Sequence, residues 1–463
     1  MPTTLTRDRA PGPRGGFLLG CLGEFRRDPI GLLARVTCQY GDVVRLRFGP
    51  IVAHVVNHPD YIRQVLEERY QNYDKRTRSV SKMRATCGAS LLTEDGPTWL
   101  RHRRLVQPVL LRQAVEQYVP MVTAATASML ERWQGAARAA RPLDVVSEMM
   151  RLTLTLASRV LFGSDVSGDA ALIERSLAVI LQDTWRRVEN IVDPAAVSPA
   201  FHRKGFLRAV DAIDAVVYRI IENRRRGKGA DDNLLAALLG ARDQGSSAGL
   251  TDRELRDATI TMLLAGHETT ANALAWTFSL VFRSPEAEQE LAREVREILG
   301  RRLPKRGDLE RLQYAGMTFA EAIRLYPSIW IMERRVVADD ELGGYAIPAR
   351  SMLLISPFVL HRHPRYWDDP ERFDPLRFSP RQAAERPKHT YIPFGSGPHQ
   401  CIGRFMAPMV ARLILAMVVQ RFRLKPVSAE SPLPLPGITL RHIGGLWMTP
   451  IERDERKPDG SPY

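Results

Sequence analysis

Phe394-Gly395-Ser396-Gly397-Pro398-His399-Gln400-Cys401-Ile402-Gly403 is the stretch on which the reading of this chain turns. A glycine-rich loop presents one cysteine, and an apolar helical segment follows, Phe405 to Phe422. Glycines reach positive φ without strain and let the backbone crowd against a bulky ligand. A cysteine just ahead of a helix start lies near unpaired N–H groups and the positive end of the helix dipole. Both favour the thiolate, a strong metal ligand. The run partly imitates a G-x-G-x-x-G dinucleotide fingerprint, but its sixth position is Gln400 and no βαβ unit surrounds it, so that match is rejected. A buried thiol beside an ordinary turn is the bland alternative, and the rest of the chain weighs against it.

Working outward, 463 residues with 44% hydrophobic content are ample for a large core. No linker, repeat or low-complexity run divides the chain, so one large domain over residues 25–453 is expected. A flexible N-terminal segment, 1–24, would precede it and a polar tail, 454–463, would follow. The four cysteines, Cys21, Cys38, Cys87 and Cys401, form no C-x-x-C pair. That speaks against zinc and iron–sulfur sites and against a disulfide scaffold, and points to a cytoplasmic setting. Met1 to Gly20 has no apolar region of signal-peptide type. Thr269 to Phe282 is uncharged for 14 residues, short of the ~20 that a membrane span needs. Met406 to Gln420 is apolar but carries Arg412, so both read as buried helices and no membrane anchor is expected. A net charge of +14 attracts anionic partners. The basic residues are scattered, and no nucleic-acid-binding signature accompanies them, so an acidic protein partner is preferred to nucleic acid.

In chain order, Pro29 to Tyr40 reads as a helix. Asp42 to Phe48 and Val52 to Val56 read as a strand pair turning at Gly49-Pro50. Pro59 to Tyr70 is expected to be a short helix, 71–98 a long loop, and Trp99 to Val106 the start of another helix. Apolar residues at three- and four-residue spacing mark Val145 to Phe162 and Leu207 to Asn223, with a break at Val192 to Pro199. Thr251 with Glu254 forms a capping-box signature, opening a helix that runs to about Phe282. Helices over 285–299 and 311–325 follow, then strands between Val336 and Ile355, an irregular 363–392, and a β-hairpin region around Gly444-Gly445. The fold class is mainly α with small β-sheets.

Three further motifs carry chemistry. In Ala265-Gly266-His267-Glu268-Thr269-Thr270, Ala265 and Thr269 share one helix face. A threonine hydroxyl bonding back to a carbonyl opens the ladder there, and Glu268 can move protons beside it. Glu321 and Arg324 meet at i, i+3 and are either an exposed pair of small value or, given Phe319, Ile323 and Leu325, a buried one. Trp99 and Arg103 lie one turn apart. Arg103 neighbours Arg101 and Arg104, so a solvated basic face is its alternative reading.

Together these motifs resemble those of the cytochromes P-450, with F-G-x-G-x-[R/H]-x-C-x-G at the loop. The resemblance runs by motif from Trp99 to Gly403. It implies haem b (iron protoporphyrin IX) held by Cys401, with Phe394, Gly395, His399 and Gly403 in the ligand loop and Ala265 on the oxygen-activating helix. Glu268 and Thr269 take the acid–alcohol positions, and His267 is structural. Trp99, Arg103, Arg334 and His399 would meet the propionates, although Arg334 and Arg335 are adjacent and the register is open by one. Arg377, in Phe373-Asp-Pro-Leu-Arg377-Phe378, would join Glu321 and Arg324 in a buried network serving folding and haem incorporation. Pro408, seven residues after the cysteine, is expected to kink the following helix or delay its start.

The implied activity is that of a soluble, monomeric monooxygenase placing one atom of O2 into an apolar small molecule: a lipid, terpenoid or polyketide of secondary metabolism. Electrons would come from NAD(P)H through a ferredoxin or flavodoxin with its reductase, since the chain holds neither a nucleotide fingerprint nor iron–sulfur cysteines. Pocket walls are implied at 71–98, 185–205, Met262–Thr269, Ile329 to Met332 and near Ile443. A peroxide-using or isomerising haem-thiolate enzyme and a non-catalytic haem-binding protein are the rival readings.

Overall fold

Thr251 starts the element around which the interior is built. Its hydroxyl accepts from the Glu254 N–H while the Glu254 carboxylate accepts from the Thr251 N–H, the reciprocal cap expected for Asp252–Val281, a helix of 30 residues. The computed structural model describes residues 8–163, 167–189, 199–227, 233–242 and 249–453. This central helix is buried on nearly all sides, as an uncharged 269–282 stretch requires. It packs on Val145–Phe162, Gln313–Leu325 and Met406–Arg421, and their apolar side chains form one continuous core.

The sheet lies beside that bundle. Its strand order is Val43–Phe48, Ile51–Val56, Met352–Ile355, Met332–Val336, Tyr73–Asp74. The early hairpin is antiparallel as expected, but Ile51–Val56 also pairs in parallel with Met352–Ile355. Met332–Val336 runs antiparallel to Met352–Ile355, with Arg334 opposite Leu353 and Arg335 opposite Met352. Successive strand residues face opposite ways, so the two arginines serve different faces.

Pro29–Tyr40 and Val145–Phe162 are helices over the expected bounds. Four expectations are corrected. The N-terminal segment is tied down from Asp8. Asp8–Arg9 pairs with Tyr345–Ile347, Ala10 and Cys21 are buried, and the Arg47 guanidinium donates to the carbonyls of Gly16, Phe17 and Leu18. The acceptors of these ties are backbone carbonyls and the partners come from distant segments, neither of which composition displays. Within 71–98, Arg78–Cys87 is a helix, capped by Thr77 and ended by Gly88 at φ +56°. Pro59–Tyr70 is not one helix: Pro59–Arg63 is α-helical and Gln64–Glu68 is a π-turn. Gly444-Gly445 does not close a hairpin, because Leu440–His442 pairs with Pro434–Pro436 whereas Trp447–Glu452 pairs with Phe422–Pro426.

The expected break at Val192 to Pro199 falls almost wholly, and the polar tail wholly, outside the described residues. Pro408 lies in the first turn of Met406–Arg421, where its missing N–H removes no ladder bond, so the helix starts late and is not kinked. The segment Ile402–Arg421 is long and apolar enough to cross a membrane by length and composition. Here it is a core helix, buried from Met409 to Val419.

Candidate functional site

The cysteine loop is shaped by two left-handed glycines, Gly395 at φ +69° and Gly397 at φ +70°. They fold the chain back so that the Cys401 N–H donates to the Phe394 carbonyl at 2.9 Å and the Gln400 N–H to the Gly397 carbonyl at 3.0 Å. Phe394 anchors the start of the loop against the main core. Cys401 lies deep in the protein, yet its side chain is open, and it is bonded to no other cysteine. The Gly403 N–H points at its sulfur, and a Cβ at Gly403 would stand 3.7 Å from Sγ. Burial pushes the thiol pKa up, against this N–H and the charges of Arg103 and Arg404. The helix-start effect expected from sequence is thus outweighed by desolvation.

Beside the loop, positive charge gathers around Trp99. His399 packs its ring 4.0 Å from that of Trp99, Lys75 Nζ lies 5.7 Å from the indole centroid and the Arg103 guanidinium 6.0 Å. Arg103 donates to the Gln400 carbonyl at 2.7 Å, the residue next to the cysteine. Arg334 is enclosed, and its bond is to the carbonyl of Glu333 at 2.8 Å. Arg335 is instead paired with Asp74 on the other face of the strand. Burial, with Lys75, Arg334 and Arg103 adding to it, drives His399 down to about 2, so the imidazole is neutral. Burial and the Arg334 charge bring Lys75 down to about 7. Asp95 is the carboxylate that Lys75, Arg334 and His399 share. Arg103 and Arg334 stand beside the cysteine loop as donors suited to a ligand bearing anionic groups. Lys75 was missed in the sequence because it follows a two-residue strand and precedes a helix, in a stretch without periodicity.

On the central helix the Thr269 hydroxyl donates to the Ala265 carbonyl at 2.6 Å, the back-bond expected. Ala265 and Gly266 are the exposed residues of this helix beyond its first turn. A Cβ at Gly266 would meet only Ala157 Cβ, at 3.9 Å, so no protein neighbour demands glycine there. Glu268 is buried and turned to the terminal hairpin. Its Oε1 accepts from Thr439 Oγ1 at 2.7 Å and from Arg441 Nε, and its Oε2 is buried without a hydrogen-bond partner among the described residues. The acid and the alcohol, adjacent in sequence, therefore face different partners. Arg441 lies 173 residues away in the chain, and nothing local signals the pairing. His267 is buried and held down to about 4 by desolvation, the structural role expected of it.

Glu321 and Arg324 are fully buried, joined by two bonds of 2.7 and 2.8 Å. Arg324 also donates to the carbonyls of His361, Pro370 and Arg372, and Arg377 Nε stands 3.5 Å from Glu321. The buried alternative for this pair is the one found. His361, missed in the sequence, accepts the Ile392 N–H at 2.9 Å and so ties the network to the chain entering the cysteine loop. Of the implied pocket walls, Trp330 is fully buried and donates to the Gly437 carbonyl, so it packs and does not line an opening. Ile329, Ile331 and Met332 are partly open.

The profile of the family "Cytochrome P450" matches residues 10–446. Cyclooctatin synthase of Streptomyces melanosporofaciens is 34% identical over 455 residues, 98% of each chain. Cyclooctat-9-en-7-ol 5-monooxygenase of the same organism is 34% identical over 89% of each chain. Pentalenene oxygenase of Streptomyces avermitilis is 28% identical over 92% of this chain and 93% of its own.

Proposed function

The chain belongs to the cytochrome P450 family, and from that premise we propose that Cys401 would hold the iron of haem in a monooxygenase acting on a cyclic terpenoid. The enzyme class is a haem-dependent monooxygenase that uses O2 and electrons supplied from a reductase. One observation carries the residue assignment: Arg103 bonds the Gln400 carbonyl, so the cation cluster and the open thiol form a single site. The donor set fits an iron porphyrin. A sulfur backed by an N–H would hold the metal, Trp99, Arg103, Arg334, His399 and Lys75 would hold the propionates, and the exposed Ala265-Gly266 would leave room for oxygen and substrate. Bound there, thiolate-ligated haem supplies an iron centre on which O–O cleavage is favoured by electron donation from sulfur.

The chain's own residues do the rest. Gly403 and the Phe394–Cys401 turn hold the sulfur. Thr269 holds a hydroxyl at the open Ala265-Gly266 groove, from which it would hand on a proton. Glu268, with one oxygen lacking a hydrogen-bond partner among the described residues, is the acid that resupplies it. Names of the relatives specify a carbocyclic alkenol and pentalenene, which supports a cyclic terpenoid over a polyketide or a linear lipid. NAD(P)H is the electron source, through a ferredoxin or flavodoxin and its reductase in the cytoplasm, and the net charge of +14 supports an acidic carrier.

The test is spectroscopic. The purified protein should give the red-shifted ferrous–CO Soret band of thiolate ligation, and Cys401→Ser should abolish it. A panel of cyclic terpenes should displace the iron-bound water and shift the resting spectrum, and turnover should need NAD(P)H and a ferredoxin. Turnover with peroxide alone at the same rate would overturn the monooxygenase assignment in favour of the peroxide-using reading.

A further inference from the structure

The π-turn Gln64–Glu68 lies against the cysteine loop. It follows Pro59–Arg63 directly, and single π-turns of this kind are frequent at functional sites. This one is pressed close to the loop. A Cβ on Gly397 would fall 1.9 Å from the Leu66 carbonyl oxygen, so only glycine fits, and its φ of +70° demands glycine as well. The extra residue in the turn brings Glu67 over the loop. There its carboxylate accepts from the Ser396 hydroxyl, from the Gly397 N–H, and from His389 Nε2 at 2.9 Å. His389 takes φ +66°, an uncommon left-handed conformation for a residue with a side chain. Burial alone would raise the Glu67 pKa, but these donors outweigh it and lower it, so the group is a carboxylate.

We propose that Glu67 is a positioning residue for the thiolate loop, delivered by the π-turn and acting on the iron through Ser396 and Gly397. The inference rests on Cys401 being the iron ligand. The path is short. Glu67 holds the Gly397 N–H, the Gly397 carbonyl holds the Gln400 N–H, and Gln400 precedes the ligand. Groups that orient a metal ligand tune the metal even when they do not touch it. Two effects separate. As a clamp, Glu67 fixes the Ser396-Gly397 turn from which the Gln400 N–H, next to the ligand, is held. As a negative charge on the ligand loop, it disfavours adding an electron to the iron.

Glu67→Gln keeps an acceptor oxygen and drops the charge, Glu67→Ala drops both, and Ser396→Ala removes one tie. Spectroelectrochemical titration of the holoenzyme should show a higher reduction potential in both Glu67 variants. The ferrous–CO spectrum should keep its red-shifted band in Glu67→Gln. In Glu67→Ala the share of unshifted band should rise several-fold, with Ser396→Ala in between. Haem content and far-ultraviolet dichroism distinguish these changes from unfolding, and if Glu67→Ala folds poorly the other two variants still decide. Parent potential and parent band ratio in all three variants would overturn the proposal. A parent enzyme without the red-shifted band would instead overturn the assignment of Cys401.

Discussion

The two sides of the site are held in different ways. The cysteine side is fastened by buried, many-membered polar contacts: Glu321 to Arg324, Arg324 to three carbonyls, His361 to Ile392, and Arg103 to Gln400. The helix side rests on a few bonds around Thr269 and Glu268, and its partners come from the terminal hairpin, Pro434 to His442. A network with every member satisfied fixes one arrangement, whereas a side wall held by a few contacts can change without unmaking the fold. The ligand-holding groups are therefore fixed in one arrangement on the first side, and the second side is the more easily altered.

This contrast can be broken by mutation. The largest effect is expected for Arg324→Ala, which leaves Glu321 buried and unpaired at a cost of about 3–5 kcal/mol. Thermal or urea unfolding should show it, with haem lost in parallel. A near-parent midpoint would mean that the cysteine side is held by packing alone. Next comes Thr269→Ala, expected to leave folding and the CO spectrum intact while lowering product formed per NAD(P)H by on the order of 10²-fold. Hydrogen peroxide should accumulate in its place.

A pH experiment follows. Burial holds His442 down to about 3 and His267 to about 4, from an ordinary value of 6.5. Below that value the unfolded chain takes up protons that the folded chain refuses. Stability is therefore full above about pH 6.5 and falls as the pH drops toward 3–4, by about 1.4 kcal/mol per unit for each imidazole. His442→Phe keeps a ring stacked on Trp276, where the two lie 3.7 Å apart, and should flatten the acid limb of unfolding midpoint against pH by one imidazole's share. The smallest effect sharpens the register on the cysteine side. Arg335→Gln breaks a partly exposed pair with Asp74 and should cost at most about 1 kcal/mol with haem content unchanged, whereas Arg334→Gln should lower haem retention.

Much of the cysteine side could be read in advance, because its members sit in local patterns. Gly395 and Gly397 frame the loop, and Glu321 and Arg324 are one turn apart; on the helix side the Thr269–Ala265 turn was legible in the same way. Lys75, His361, Glu67 and Arg441 could not, since each reaches the site only once distant segments pack. Glu67 depended on a π-turn that the apolar spacing of 59–70 does not announce. Glu268 shows a second limit: its place on the helix was legible, but its direction was set by Arg441 on a strand that pairs with a neighbour other than the one expected. The N-terminal segment failed differently, being ordered by a distant strand and by Arg47 reaching its backbone carbonyls, which leave no mark on its own side-chain pattern.

Ser328 makes two bonds whose consequence concerns engineering. Its hydroxyl donates to the Thr269 carbonyl at 2.7 Å, and its own carbonyl accepts the Leu440 N–H at 2.9 Å. One residue thus staples the hairpin to the turn of helix that carries the alcohol. A hairpin grafted from a relative to change substrate preference will be read by the helix through this staple. Grafts that conserve the spacing from residue 437 to Leu440 will transplant selectivity alone. Grafts that shift it by one residue will carry a defect in oxygen use along with the new pocket, however well the new substrate binds.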